Sequence, residues 1–202
     1  MKETRRKPEE PRSTRLVIMD RVLEEMVEKP IDQIQVTELT RSLYISRGTF
    51  YLYFDSVADV VEQAENEFFY DFLEAIDPYM FLPFDDRYFT EPYPFILATV
   101  RFSKSYKLRY KSLFGPYGNQ SFQEDARASV RRLTFDRAIE QRYIVLDERY
   151  HQIAADFMVS GHLQGILPVA TQDERLTDAE KAVFIYRLLF APYRPGWSNG
   201  SC

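Results

Sequence analysis

The segment "YISRGTFYLYFDS", residues 44–56, contains the pattern that decides the fold. Ser46 stands where an N-cap is expected, because its hydroxyl can accept a hydrogen bond from a backbone N–H group in the first turn of a following helix. Phe50 and Phe54 are four residues apart, so they share one helical face, which we expect to be buried. The outward positions are then held by Arg47, Gly48, Thr49, Tyr51 and Tyr53. The segment predicts a short helix that is apolar inside, with polar and aromatic side chains outside.

Two further helices are predicted before this segment. The first has Ser13 or Thr14 as its cap, apolar residues at helical spacing from Leu16 to Met26, and a stop at Lys29-Pro30. The second, "VTELTRSL" at residues 36–43, is about two turns long. Two helices joined by a tight turn, the second of them capped and polar outside, form a helix-turn-helix, which places its second helix in the major groove of DNA.

The outward side chains have the chemistry that such a helix needs. Arg47 can meet a guanine edge or a phosphate, and Thr49 can hydrogen-bond to a base or touch a thymine methyl group. Gly48 keeps the backbone slim where it approaches the groove. Tyr51 and Tyr53 can place their rings on the protein and point their hydroxyls at phosphates. The alternative for the tyrosines is that they cover a small apolar module.

The rest of the chain predicts further helices and no strands. A capping-box-like pair, Ser56 and Asp59, begins a long helix that ends at Asp77-Pro78 and spans roughly 30 Å at about 1.5 Å per residue. A proline-rich loop over residues 78–94 follows. Helices are then expected over residues 95–113 and 121–142, followed by two more, the last of which begins with a Thr177 and Glu180 capping box.

Composition limits the classes of protein that the chain can be. With 202 residues, 45% of them hydrophobic, the chain can form one sizeable core or two small ones. Residues 1–54 carry ten Lys/Arg against nine Asp/Glu. The acidic excess that gives the chain its net charge of −5 therefore lies C-terminal to the helix-turn-helix. The single cysteine, Cys202, excludes an intrachain disulfide. No signal peptide or membrane-spanning run is evident, and we expect a cytoplasmic protein without a membrane partner.

The last two helices predict how the chain assembles. One face of the first of these helices contains Tyr150, Ile153, Ala154, Phe157, Gly161 and Gly165. Three of these six side chains are small, which allows another helix to come close. We therefore expect a surface shared between two subunits, although packing within one chain remains the alternative. The expected interface residues are Ala154, Phe157, Gly161, Gly165, Val183 and Tyr186.

The aromatic residues between Phe68 and Phe122 predict either a bulky core or an apolar ligand pocket. The pocket would be walled by Phe72, Phe102, Tyr106 and Tyr110. His151 and His162, the two histidines, lie about 16 Å apart along a helix axis and cannot share a metal ion. No catalytic constellation is visible, so neither an enzyme, a cofactor nor a metal is expected.

The stretch "VTELTRSLYISRGTFYLYFDSVADVVE", with the helix before it, closely resembles the DNA-binding domain of TetR-family transcriptional regulators over residues 13–62. "SYKLRYKSLFGPYGNQSFQ" and "YHQIAADFMVSGHLQGIL" are similar, more weakly, to a subgroup of that family. The resemblance implies an all-α homodimer whose third helix binds DNA. It also implies a larger C-terminal domain that binds a small molecule and dimerises through a four-helix bundle.

Carried over by position, the resemblance places contacts to the groove and the phosphates on eight residues. These are Val36, Thr37, Ser46, Arg47, Gly48, Thr49, Tyr51 and Tyr53. The chain departs from the family twice: Val57 replaces a lysine that meets a phosphate, and Tyr44 replaces a glycine in the turn. If the turn needs a left-handed backbone, a residue other than glycine costs on the order of 1 to 2 kcal/mol there.

The sequence thus predicts a four-part chain. The parts are a flexible basic arm (1–12), a helix-turn-helix domain (13–56), a helical ligand-binding and dimerisation domain (57–191) and a loose tail (192–202). The expected function is that of a regulator, most simply a repressor, which binds a palindromic operator in double-stranded DNA as a homodimer and responds to an unidentified small-molecule effector. The alternative is a coactivator or accessory protein that binds a protein partner instead of DNA.

Overall fold

The computed structural model describes residues 13–172 and 175–193. The predicted basic arm and the predicted tail beyond Tyr193 lie outside these residues. In the part of the chain that the structure describes, every regular element is a helix, so the predicted all-α fold class is confirmed.

Within these residues, ten α-helical segments follow one another, joined by short 3-10 turns and loops. Their bounds are α1 Thr14–Met26, α2 Val36–Ser42, α3 Arg47–Tyr51, α4 Val57–Ile76, α5 Pro94–Ser105, α6 Lys107–Leu113, α7 Gln120–Arg131, α8 Arg137–Glu140, α9 His151–Gln172 and α10 Asp178–Phe190. The predicted caps at Ser13, Ser46, Ser56 and Thr177 all accept a hydrogen bond from a backbone N–H of the first turn.

The first core lies where α1, α2 and α3 pack on the N-terminal half of α4. It contains Ile18, Met19, Val22, Leu23, Met26, Leu39, Phe50, Phe54, Val60, Val61, Ala64 and Phe68, all of them buried. Phe102 of α5 with Tyr110 and Leu113 of α6 belongs to the same core. The N-terminal module therefore packs continuously onto α4, α5 and α6.

The second core is built from α5, α9 and α10 and from the loop that precedes α5. This loop contains 3-10 turns at Asp77–Tyr79 and Asp86–Phe89 and contributes the buried rings of Phe84 and Tyr88. Tyr93, Tyr186 and Phe190 pack beside them. The proline-rich segment is thus a loop, as predicted, but its aromatic residues are part of the core.

Two predicted helices are interrupted. The helix expected over residues 95–113 breaks at Tyr106, whose φ of −105° and ψ of 28° separate α5 from α6 and whose hydroxyl donates to Asp71 Oδ2 at 2.7 Å. The helix expected over residues 121–142 continues from α7 through a π-helical turn, Arg132–Asp136, into α8. Arg142, with a φ of 54°, follows in the left-handed region.

Helix α9 is unusually apolar and contains Pro168 within its span. By length and composition alone, Glu148–Gln172 could cross a membrane, and the core helices of soluble proteins pass the same test. Here the helix contacts α5, α6, α7 and α10 and buries Ala155, Met158 and Ile166 among them. Packing in the core explains the apolar residues on this side of the helix, whereas Ile153 and Phe157 remain exposed.

Candidate DNA-binding interface

The turn between α2 and α3 is held by backbone hydrogen bonds around Tyr44. Tyr44 has a φ of 56°, and the N–H of Ile45 donates to the carbonyl of Thr40 at 3.0 Å, an arrangement typical of a helix C-terminus with a left-handed residue. The side chain of Tyr44 is 97% exposed. The position that the family fills with glycine is therefore left-handed here as well, and Tyr44 bears the cost of that conformation.

Helix α3 begins at Ser46, whose Oγ accepts a hydrogen bond from the backbone N–H of Thr49 at 2.9 Å. The hydroxyl of Thr49 lies 2.9 Å from the same Oγ. Phe50 and Phe54 point inward and are buried, which confirms the predicted division of the helix into an inner and an outer face.

Most of the eight predicted contact residues lie at the surface. Six are exposed: Thr37, Ser46, Arg47, Gly48, Tyr51 and Tyr53. Val36 and Thr49 are half-buried, and Val36 packs against the first core. The surface of α3 and the start of α2 therefore present polar and aromatic groups together.

Two arginines give this surface its positive charge. Arg41, in the last turn of α2, and Arg47 are exposed and form no ion pair with any residue between 13 and 172 or between 175 and 193. By contrast, the guanidinium of Arg21 and the ammonium of Lys29 both pair with Glu25 on α1. Arg41 was not among the predicted contacts, although a basic residue beside the turn was visible in the sequence.

Arg15 is held by α4. Its Nη1 lies 2.6 Å from Glu67 Oε1, its Nη2 donates to Gln63 Oε1 at 2.6 Å, and its guanidinium lies 5.5 Å from the centre of the Phe54 ring. Arg15 lies in the first turn of α1, just after the predicted arm of residues 1–12. The structure makes it part of the joint between α1 and α4.

The start of α4 differs from the expected phosphate-binding site. Val57 is buried in the first core, so nothing at this position replaces the lysine of the family. The N–H of Asp59 donates to Ser56 Oγ at 3.1 Å, and Asp59 Oδ2 accepts from the N–H of Asp55 at 2.8 Å. Hydrogen bonds from Gln63 and Asp55 lower the pKa of the Asp59 carboxyl, which is therefore ionised at neutral pH. A carboxylate at this helix end opposes the approach of a phosphate.

The four predicted ligand residues do not wall a single pocket. Phe72 and Tyr110 line an apolar cavity of about 50 Å³ in the middle of the C-terminal helices. Phe102 and Tyr106, stacked at 4.3 Å, line a separate surface cleft of about 320 Å³ between α4 and α5. The predicted pocket is corrected to two sites, because the ring of Phe102 lines the cleft and packs edge-on against Phe68 and Phe72, which line the cavity.

His162 is buried and lines the apolar cavity. Its Nδ1 has no hydrogen-bond partner among the described residues, and burial lowers its pKa to about 4. Tyr110, in the same cavity, donates its hydroxyl hydrogen to the carbonyl of Leu163 at 2.7 Å. Over residues 13–172 and 175–193, no three His, Cys, Asp or Glu side chains are arranged to hold a metal ion.

The predicted interface residues divide between the surface and the core. Phe157 is 72% exposed, and a Cβ on Gly161 or Gly165 would meet no atom within 4 Å. Val183 is half-buried. Ala154 is buried, and Tyr186 is fully buried with its hydroxyl donating to the carbonyl of Asp85 at 3.1 Å. These last two residues pack inside the protomer and cannot contribute a surface.

The fold and this surface define an all-α protein with an N-terminal helix-turn-helix module. No protein-family model and no curated protein sequence matches the chain, but solved structures do. A TetR-like transcriptional regulator from Rhodococcus sp. RHA1 has 15% identity and a TM-score of 0.64, over 91% of this chain and 97% of that one.

Two further solved structures have comparable similarity. A putative TetR family transcription regulator from Shewanella sp. PV-4 has 16% identity and a TM-score of 0.62, over 90% of this chain and 98% of that one. The TetR family regulator PfmR from Thermus thermophilus has 13% identity and a TM-score of 0.60, over 88% of this chain and 96% of that one. The chain therefore has the fold of the TetR-family transcriptional regulators, as its helix-turn-helix sequence predicted.

Proposed function

We propose that this protein is a cytoplasmic transcriptional regulator that binds a palindromic operator as a homodimer, acts as a repressor, and changes its DNA affinity when a small molecule binds to its C-terminal helices. The observation that carries the proposal is the surface of α3, where Arg47 is exposed and forms no ion pair with the described residues, on a capped helix whose inner face is fixed by Phe50 and Phe54. Catalysis has no role in this proposal.

The side chains of α2 and α3 would make two kinds of contact with DNA, one to bases and one to phosphates. Arg47, with Thr49 beside it, would read base edges in the major groove, while Thr37, Tyr51 and Tyr53 contact phosphates and set the register. We add Arg41 to the phosphate contacts because it is exposed and forms no ion pair within the described part of the chain. Each such cation releases counterions on binding, so affinity should fall steeply as salt rises.

The exposed apolar face of α9 and α10 supports a homodimer. Ile153 and Phe157 are 70% and 72% exposed on α9, and Phe184 and Leu188 are 49% and 55% exposed on α10. Four large apolar side chains exposed on neighbouring helices indicate a contact with another protein surface. Gly161 continues the α9 face one turn beyond Phe157, with open space around it that a second helix could fill.

A protein-binding role remains the second candidate. Val57 and Asp59 remove the phosphate contact expected at α4, and a groove between α1 and α2 is lined by four glutamates against two basic residues, Arg21 and Lys29. Both features weaken attraction to DNA. The uncompensated charges of Arg41 and Arg47 favour DNA as the partner.

The test is a fluorescence anisotropy titration of the full chain against duplex DNA from upstream of its own gene. Arg47→Ala should weaken specific binding by about 1–3 kcal/mol and reduce the dependence on log salt by about one charge. Arg132→Ala removes an exposed arginine beside α7, far along the chain from α3, and should leave binding unchanged. An unaltered isotherm for Arg47→Ala, or a stable heterologous complex without DNA retention, would favour the protein-binding role.

A further inference from the structure

An open cleft lies beside the first half of α4. It has a volume of about 800 Å³, and its walls come from α4, from the loop between α6 and α7, and from the start of α7. Met26 and Ile31 of the N-terminal module also line it. The volume lies within the range of small-molecule sites, about 300–1,000 Å³, and both parts of the protein contribute to the wall.

The charged side chains that line the cleft are all acidic. Glu62 and Glu65 of α4 and Asp125 of α7 line it, and none of the described lining residues is a lysine, arginine or histidine. The three carboxylates are not grouped closely enough to hold a metal ion. The cleft therefore attracts cations, and its charges are spread over a space that suits an organic molecule.

Glu65 provides an independent observation. Its side chain is 9% exposed; Oε2 accepts a hydrogen bond from Asn119 Nδ2 at 3.3 Å, while Oε1 is buried without a partner among the described residues. Burial is the main reason that the pKa of this carboxyl is raised, and repulsion by Glu62 adds to the rise. A buried carboxylate oxygen without a donor is costly, and a charged donor is the partner that compensates most for that cost.

Aromatic rings flank these carboxylates. Phe69 and Tyr117 are 41% and 40% exposed in the cleft, and Phe122 lies on its α7 side. The faces of such rings attract cations. Phe69 and Phe122 also line the apolar cavity of about 50 Å³ that contains His162, so this side of the cleft is apolar.

We infer that this cleft binds an organic monocation with an apolar body, such as a primary alkylammonium ion. The ammonium group donates to the Glu65 carboxylate, whose Oε1 lacks a donor among the described residues, and the apolar body packs against Phe69 and Phe122. This inference rests on the proposed function, since it names the chemical class of the effector. A ligand held between α4, α7 and the N-terminal module would favour one orientation of that module, in proportion to its differential affinity for the two orientations.

Calorimetric titration of the full chain without DNA tests the inference. The probe is n-decylammonium chloride below its micellar concentration, and sodium decanoate is the anion of equal chain length. We expect saturable binding of the cation and at least about tenfold weaker binding of decanoate. Equal affinity for the two probes, or no binding of the cation, would overturn the inference.

Substitutions of single carboxylates test which of them binds the ammonium group. Glu65→Gln should weaken decylammonium binding at least about tenfold, whereas Glu74→Gln, an exposed change of the same kind on α4, should leave it unchanged. If Glu65→Gln does not fold, the exposed pair Glu62→Gln and Asp125→Asn should weaken binding severalfold. Full affinity in both the Glu65 variant and the double variant would refute the assignment.

Anisotropy with operator DNA separates this inference from the proposed function. If the protein binds DNA but not decylammonium, the inference of a cationic effector is refuted and the proposed regulatory function is not. Decylammonium binding without DNA retention would support the cleft as a cation site and refute the regulator.

Discussion

Acidification should destabilise this protein through His162. The imidazole is buried, its Nδ1 has no partner among the described residues, and its pKa is lowered to about 4 by burial. Apart from His162 and Tyr110, the described residues that line the adjacent cavity carry no titratable side chain. Nothing there compensates a positive charge on the ring, so the neutral form is the one that the fold accommodates.

The magnitude follows from the difference between the folded and unfolded pKa values. Between pH 6.5 and about 4, the unfolded chain binds a proton that the folded chain excludes, so the free energy of unfolding falls as pH falls. From pH 7 to pH 5 this group alone removes about 2 kcal/mol. The raised pKa of Glu65 acts in the opposite direction, but it is common to every variant compared below.

Urea denaturation followed by circular dichroism, at pH 7 and pH 5, measures the effect. The protein concentration must be held fixed, because the stability of a dimer depends on it. In His162→Leu, the loss of stability over this interval should be smaller than in the wild type by about 2 kcal/mol. Leu133→Ala, which changes a residue of the same cavity that does not titrate, should retain the wild-type dependence. If His162→Leu loses as much stability as the wild type, the buried neutral imidazole is not the cause.

Four other substitutions test the interpretation of the fold and of its assembly. Tyr44→Gly should raise the free energy of unfolding by about 1 kcal/mol, because glycine adopts the left-handed turn without strain; an unchanged urea midpoint would argue against strain there. Phe50→Ala should lower it by about 3–5 kcal/mol, and a smaller loss would mean that the first core collapses onto the cavity. Ser56→Ala should cost about 1 kcal/mol through the lost cap of α4, and a neutral result would remove that cap from the stabilising contacts. Phe157→Asp should give a monomer in sedimentation velocity, whereas a dimer would place the interface elsewhere.

The N-terminal module could be predicted closely because its signals are local. A hydroxyl at Ser46 and apolar residues four apart at Phe50 and Phe54 determine a short capped helix within one stretch of sequence. The cap at Ser56 and the proline after Asp77 likewise bound α4 as predicted. These features depend on neighbours within a few residues, and the structure contains each of them.

The pocket and the interface depend on contacts between distant residues, and their prediction was less accurate. Tyr106 interrupts a periodic apolar pattern where its hydroxyl bonds to Asp71, 35 residues earlier. Tyr186 shares a helix with the exposed Phe184 and Leu188, yet its own face packs on Tyr88 and Tyr93. Helical periodicity says which residues share a face, but it does not say whether that face meets the same chain or another.

Contacts among α1, α4 and α6 connect the helix-turn-helix module to the C-terminal helices, so a change in one part can affect the other. Glu67 of α4 receives both Arg15 of α1, at 2.6 Å, and Arg109 of α6, at 2.9 Å. The hydroxyl of Ser112 on α6 donates to the carbonyl of Leu23 on α1 at 2.8 Å. Helix α1 therefore cannot turn relative to α4 without disturbing α6, whose C-terminal end leads into the loop that lines the carboxylate cleft. A ligand that moved this loop would disturb the contacts that hold α1 to α4 and α6.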